Sequence, residues 1–414
     1  MPTHSSMQGK PLSGLAFAVK DNIDVEGWPT GCGNPEWARR RKVSGKSATV
    51  VSRLIKEEAV FRGKTITDEF AWSAAGDNPH YGAPINPAAP HRLAGGSSCG
   101  SASVVAQGLA DFALGTDTGG SVRIPAAFTG LFGMRPSHGA ISMEGVMPLA
   151  PSLDTVGFMA RDAHLLRAIG HALLPPGSKS TYSRLLIAED AFRKISTRHR
   201  RALQPWVALL AKHISRTEQL PLVPIPEGLQ HAASAFRVYQ AAEIKGGLIP
   251  MLDGMDSFLG ESLRKRIEYA RSITKDEAQA ACKSIESLAV RLLGHVGQDT
   301  VVALPTTHDI APWRTSAEAN LIEHRQSLIE LNCIASIGGM PQITLPVASI
   351  DNAPFGLSIL GPPGTDLALL DLACCLQQAG SQRLFAKMKM HVTGDPARTP
   401  GYDKTHADFP YGWI

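Results

Sequence analysis

Three short stretches hold residues whose types and spacing can do chemistry: "FAVKDN" with Lys20, "AGGSSCGSA" with Ser97 and Ser98, and "LGTDTGGSVRIP" with Ser121. A serine hydroxyl is a poor nucleophile until an adjacent base takes its proton, and lysine is such a base only when neutral. Burial can lower a lysine pKa by roughly 3–5 units, so an enclosed, glycine-lined site suits that role. Lys20 directly follows the apolar run Leu15–Val19, and open α/β sheets present ligand-facing groups at strand ends. A solvated strand end is the competing reading for a single lysine. Gly119 and Gly120 permit backbone angles closed to other residues, so successive N–H groups can converge on one point, as an oxyanion hole requires. The same donors start a candidate helix through Val122 to Ala127 that adds positive potential, with Pro125 fitting only its first turn. A plain Thr-Gly-Gly-Ser turn, with Ser121 as a helix cap, is the structural alternative.

The elements that must position these residues can be read from the pattern around them. From Leu15 to about Ala160 short apolar runs ("GLAFAV", "DFALG", "GLFGM", "DTVGFMA") alternate with helical windows such as "SATVVSRLIKEEAV" and "SASVVAQGLA", which predicts an α/β fold. From about Pro175 to Leu293 the text becomes long, charged and helix-forming. Strand-like runs return in "DTVVALP", "QITLPVA" and "FGLSILG", followed by the helix "TDLALLDLACCLQQA" with Thr and Asp at its start. The last strands are expected to rejoin the first sheet, giving one composite domain over 1–414. Its α/β core would come from 1–172 and 300–414, with 173–299 as a helical layer or substrate cap.

Composition narrows the function classes. The 414 residues are 43% apolar and carry a formal net charge of +4, too little charge for a dedicated nucleic-acid or membrane surface. The basic runs Arg39–Lys42 and Arg198–Arg201 read as solvated helix faces. Six scattered cysteines make neither a disulfide framework nor a metal-ligand spacing, which fits a reducing, cytoplasmic setting. "MPTHSSMQGKPLSG" has no apolar core of the signal-peptide kind, and no run of about 18 apolar residues occurs.

Several familiar motifs fail on inspection. "RRKVSGKS" has Arg40 where a phosphate-binding loop needs glycine. "GSSCG" matches a nucleophile elbow around Ser98, but the text before it is a poor strand. Ser262 to Lys265 and Ser272 to Lys275 are Ser-x-x-Lys matches inside charged helical text, without the other parts of a β-lactamase-like site.

Taken together, "VKDNID", "GGSSCGSASVVAQ" and "LGTDTGGSVRIPAAFTGLFGMRPSHG" resemble the amidase signature family, and the likeness continues through "SLDTVGFMARD", "GGMPQITLPVA" and "PFGLSILGPPGTDLALLDLA". It covers nearly all of the chain except the helical middle. The resemblance implies a large mixed, twisted β-sheet covered by helices on both faces. It implies that Lys20 is the catalytic lysine, Ser97 a bridging serine preceded by a cis peptide, and Ser121 the acylated serine. The oxyanion donors it implies are the backbone N–H groups of Thr118, Gly119, Gly120 and Ser121. In such a triad Ser97 relays the proton: Lys20 takes it from Ser97, and Ser97 takes it from Ser121. The reverse path protonates the departing amine.

Ser98 is expected to hydrogen-bond within the site. Arg123 either pairs with an acidic substrate or serves as scaffolding, and scaffolding is favoured; His138 reads as structural. Trp72 and Met143 are candidate apolar pocket walls, and further substrate contacts are expected from about Phe236 to Ile273. "FAVKDNIDVEGWPTGCGNPEW" and "RPSHGAISMEGVMPLAPSLDTVGFMARD" look most like short plant indole-3-acetamide hydrolases. The expected activity is therefore hydrolysis of a small, aromatic or apolar primary amide to carboxylate and ammonia, without metal or organic cofactor. The expected partner is that small molecule, with neither nucleic acid nor membrane, and a homodimer stays an open option. Two alternatives stand beside it: the amidase component of a tRNA-dependent amidotransferase, and a catalytically inactive scaffold.

Overall fold

The computed structural model describes residues 10–176, 181–226 and 228–381. The first nine residues of the opening segment, read above as lacking an apolar core, lie outside the described residues.

Ten strands form one mixed sheet: β1 (Ala16–Lys20), β2 (Val60–Thr65), β3 (Phe112–Asp117), β4 (Phe132–Arg135), β5 (Thr155–Ala160), β6 (Arg184–Ala188), β7 (Arg216–Leu220), β8 (Thr300–Pro305), β9 (Gln342–Ile350) and β10 (Ala353–Leu360). Their order across the sheet is β2-β1-β3-β5-β4-β9-β10-β8-β6-β7. Parallel pairing of β1 with β2 and β3 at one end, and of β6 with β7 and β8 at the other, flanks an antiparallel centre.

Alternation along each strand divides the interior into two layers, because successive side chains point to opposite faces. Phe17, Val19, Phe112, Leu114, Val301 and Ala303 face a core built with the helices Thr49–Lys56, Ala163–Leu173, Thr197–His213 and Asp366–Ser381. Ala18 and Ala113 face the helix Cys99–Ala106, and Val302 and Leu304 face the helices Gly228–Gly246, Lys275–Val296 and Glu318–Ile337. The small alanines on the second face let the helix Cys99–Ala106 lie close to the sheet. Gly100 is part of that approach: a Cβ there would sit 2.5 Å from the Ile66 carbonyl oxygen.

Two expectations need correction. The stretch 173–299 is not helical throughout, since it supplies β6 and β7 to the sheet. β7 is the edge strand and largely exposed, so "RTEQL" carries no apolar alternation from which a strand could be read. The window "SATVVSRLIKEEAV" ends its helix at Lys56, and Val60 begins β2; the start of this strand, Val60–Arg62, is exposed or half-buried, with only Gly63, Lys64 and Thr65 buried.

Candidate active site

Strand register brings the three sequence stretches together. In the parallel pair β1–β3, Val19 lies opposite Leu114, so Lys20 and the Thr116–Asp117 end of β3 emerge at the same sheet edge. That is the carboxyl edge of parallel strands, where open α/β sheets bind ligands. The Gly96–Ser97 peptide is cis, and the Ser98 N–H donates to the Ser121 carbonyl at 3.1 Å, joining the second stretch to the third.

Lys20 is fully buried and has no carboxylate within ion-pair distance among the described residues. Its Nζ donates to Ser97 Oγ at 2.7 Å and Thr116 Oγ1 at 2.8 Å. Asn22 Nδ2 donates to the same threonine oxygen at 3.1 Å. Burial lowers the Lys20 pKa to about 8, against the opposing pull of Asp68, Cys99, Asp117 and Asp154. A working neutral fraction is therefore present near neutral pH, and a neutral amine has the lone pair that a Ser97 hydroxyl proton needs. Exposure runs in the order such chemistry requires. Lys20, Ser97 and Ser98 are sealed at 0% exposure, while Ser121 keeps 9% and so stands nearest solvent.

Asp117 organises the loop that carries Ser121. Its carboxylate accepts from the backbone N–H groups of Gly120 at 2.9 Å and Val122 at 3.0 Å, and from the Arg123 guanidinium at 2.7 and 3.0 Å. Burial alone would raise this carboxyl, but Arg123 and Arg135 overrule it and hold it well below the usual carboxylate range. Arg123 is completely buried, with its other nitrogen on the Asn332 carbonyl at 2.9 Å and Gln342 Oε1 at 2.5 Å. It is scaffolding. Gly120 adopts φ +118°, and a Cβ there would lie 2.6 Å from Ile124 and 2.9 Å from Asn332, so only glycine fits.

This wiring corrects one part of the donor set. The Gly120 N–H is already engaged, donating to Asp117 Oδ1 at 2.9 Å. The N–H groups of Thr118, Gly119 and Ser121 have no acceptor among the described residues. The helix after them spans only Arg123–Thr129, with Pro125 inside its first turn.

The remaining sequence candidates separate. Ser98 Oγ donates to the Thr116 carbonyl at 3.3 Å. Trp72 belongs to an apolar cluster with Trp37, Phe70, Leu149, Leu263 and Ile267, which joins the sheet edge to the helical middle. Met143 does not: it packs against the main core on the other side, and Met147 is the methionine beside the Trp72 cluster. His138 makes no hydrogen bond to Lys20, Ser97 or Ser121 among the described residues, and its backbone N–H donates to Gly339. Thr116, Asp117 and Asn22 lie inside stretches quoted for their neighbours, yet only the folded contacts reveal their use. Among the described residues no group of three or more His, Cys, Asp and Glu is placed to hold a metal ion, and no helix is long and apolar enough to cross a membrane.

The family model described as Amidase matches residues 3–370. The protein called Amidase 1 of Arabidopsis thaliana is 37% identical over 401 residues, covering 90% of this chain and 94% of that protein. A glutamyl-tRNA(Gln) amidotransferase component from Methanospirillum hungatei is 30% identical over 410 residues, covering 89% of this chain and 93% of that protein. A solved structure described as that of an amidase superposes with a TM-score of 0.80 at 28% identity, covering 90% of this chain and 86% of that one. With the fold, the sealed lysine and the glycine-framed serine in place, the chain belongs to the amidase signature family of amide-bond hydrolases.

Proposed function

We propose that the protein hydrolyses a small primary amide with an aromatic or apolar acyl group, releasing carboxylate and ammonia through an acyl-enzyme on Ser121. The observation that carries this reading is the 2.7 Å contact from Lys20 Nζ to Ser97 Oγ in a fully buried setting. Neutral Lys20 takes the Ser97 hydroxyl proton as Ser97 takes that of Ser121, and the Ser121 oxygen attacks the amide carbon. The N–H groups of Thr118, Gly119 and Ser121 are the donors available to the developing oxyanion, a type of contact worth about 3–4 kcal/mol per donor. Collapse of the tetrahedral intermediate breaks the C–N bond, and the relay returns its proton to the departing ammonia. Water then attacks the ester by the same base, regenerating Ser121.

The apolar preference is supported by what surrounds the loop. A Cβ at Gly119 would lie 3.1 Å from the Phe236 ring and 3.2 Å from Ile329 Cδ1, so apolar side chains press on the donor loop from the helical middle. The Trp37–Phe70–Trp72 cluster lies next to the same end of the sheet. Indole-3-acetamide is the leading candidate within this class.

The test is ammonia release from a panel containing indole-3-acetamide, malonamate-like acids, short-chain amides and glutamine. Preferred turnover of aromatic or apolar amides is expected. Turnover of glutamine alone, appearing only with a co-purifying partner, would replace this reading by that of an amidotransferase component, which the likeness to the M. hungatei protein keeps in view. No turnover of any amide, with Ser121 unreactive toward a fluorophosphonate, would point to a scaffold.

A further inference from the structure

Asp154 is buried at 3% exposure and takes no part in the proton relay described above. Its Oδ1 accepts from Thr118 Oγ1 at 2.5 Å, and its Oδ2 accepts from the N–H groups of Leu149 and Ala150 at 2.8 and 2.9 Å. Thr118 begins the loop that carries the Gly119 and Ser121 N–H groups. Leu149 packs in the cluster of Trp37, Phe70 and Trp72. One carboxylate thus holds both the donor loop and the apolar wall. Hydrogen bonds to a carboxylate are short and strong, and without this acceptor a hydroxyl and two backbone N–H groups would be buried unsatisfied.

We infer that Asp154 is a positioning residue that locks the Thr118–Ser121 loop to the Leu149 wall, so that a substrate seated on the wall presents its carbonyl to the oxyanion donors. The inference rests on the acyl-enzyme reading of the site. The charged and titratable groups facing Asp154 are Arg135 from β4, Lys20 from β1 and His138 from the loop after β4. Burial raises the Asp154 carboxyl to about 6, against the pull of Thr118, the two N–H groups and Arg135. Protonation would place a fourth hydrogen among three donors already aimed at the same group. The lock therefore loosens as pH falls below about 6, adding to the protonation of Lys20.

The test compares Thr118→Val, which replaces the hydroxyl by a methyl and keeps the backbone N–H, with Thr118→Ser, which keeps the hydroxyl. On one good amide, Thr118→Val should lose about tenfold to a hundredfold in kcat, the scale of a small misplacement of reacting groups, with KM changed less than about threefold. Thr118→Ser should recover most of the loss. In the native enzyme and Thr118→Ser, log kcat/KM should fall more steeply than slope one below about pH 6, by at most that same tenfold to hundredfold, before returning to slope one; in Thr118→Val it should keep slope one throughout. Asp154→Asn, which removes the charge and its titration and sets its NH2 either against the two backbone N–H groups or on the Thr118 hydroxyl, reversing that hydrogen bond, should behave as Thr118→Val does and serves in its place if that variant does not fold. Native kcat and an unchanged acid limb in the folded variants, or a rise in KM alone, overturns the inference. Fluorophosphonate labelling of the native protein separates the two levels: absence of label on Ser121 defeats the acyl-enzyme reading, whereas label with unaffected variants defeats only the role of Asp154.

Discussion

Two fully buried lysines stand on adjacent strands of this sheet, and they have opposite surroundings. Lys64, on β2, lies 3.1 Å from Asp21 in an ion pair and donates to the Pro29 carbonyl at 2.9 Å and Thr30 Oγ1 at 3.0 Å. Lys20, on β1, meets only hydroxyls and a distant carbonyl at the edge of its reach. Both are at 0% exposure, so burial does not distinguish them. Partner chemistry does. A carboxylate beside an ammonium stabilises the charged form, while a ring of neutral hydroxyls leaves desolvation unopposed at close range. A lysine becomes a base here because the fold withholds an adjacent carboxylate from it.

The largest effect should come from removing the base or the nucleophile. Ser121→Ala and Lys20→Ala should each lower amide turnover by about four orders of magnitude or more, as loss of one member of a cooperating catalytic unit does. Lys20→Arg should be no better, because guanidinium stays protonated. Steady-state ammonia release, with circular dichroism to verify the fold, measures all three. Near-native turnover by Lys20→Arg would mean that another group takes the proton, and His138 would be examined first.

Lys64→Met should reverse the pattern. It leaves Asp21 buried without its cation, which destabilises the fold by about 3–5 kcal/mol, while the folded fraction keeps its turnover. Denaturant unfolding beside activity per folded molecule tests this; an activity loss matching that of Lys20→Ala would erase the contrast between the two lysines.

Asp117→Asn should fall between these cases. It removes the charge that Arg123 and Arg135 share and weakens the hold on the Gly120 N–H, so kcat should drop about tenfold to a hundredfold through misplacement of the loop. Unchanged kcat would show that the loop keeps its shape without that carboxylate. Ser98→Ala should matter least. Its hydroxyl makes one long bond to the Thr116 carbonyl, worth about 1 kcal/mol, so a thermal melt should shift slightly and turnover should change less than about threefold.

How much of this was legible in the sequence follows from where each interaction comes from. Lys20, Ser97 and Ser121 could be singled out because three short motifs occur together in one order and carry the family resemblance; taken alone, the lysine reads equally as a solvated strand end and Ser121 as a helix cap. The expected strands β1, β3, β4, β5, β8, β9 and β10 were readable because buried strands require apolar runs. β7 was not, since an exposed edge imposes no such requirement. Asp154 lies within the quoted stretch "SLDTVGFMARD", but its tie to Thr118, like that of Asn332 to Arg123, is a contact across the fold that the stretch does not specify. The donor set was overcounted for a related reason. That Gly120 donates to Asp117 depends on backbone direction within the loop, which residue identity does not specify.

The central claim is that neutral Lys20 is the base, and the pH dependence of kcat/KM on one good amide tests it most directly. With the lysine at about 8, only about one molecule in ten carries the neutral amine at pH 7, so the rate should climb roughly tenfold above that pH. Between pH 6.5 and 9 the account predicts a rise of slope one that levels off above about pH 8. A flat profile across that range, or one rising with a midpoint near the ordinary histidine value of about 6.5, would contradict it.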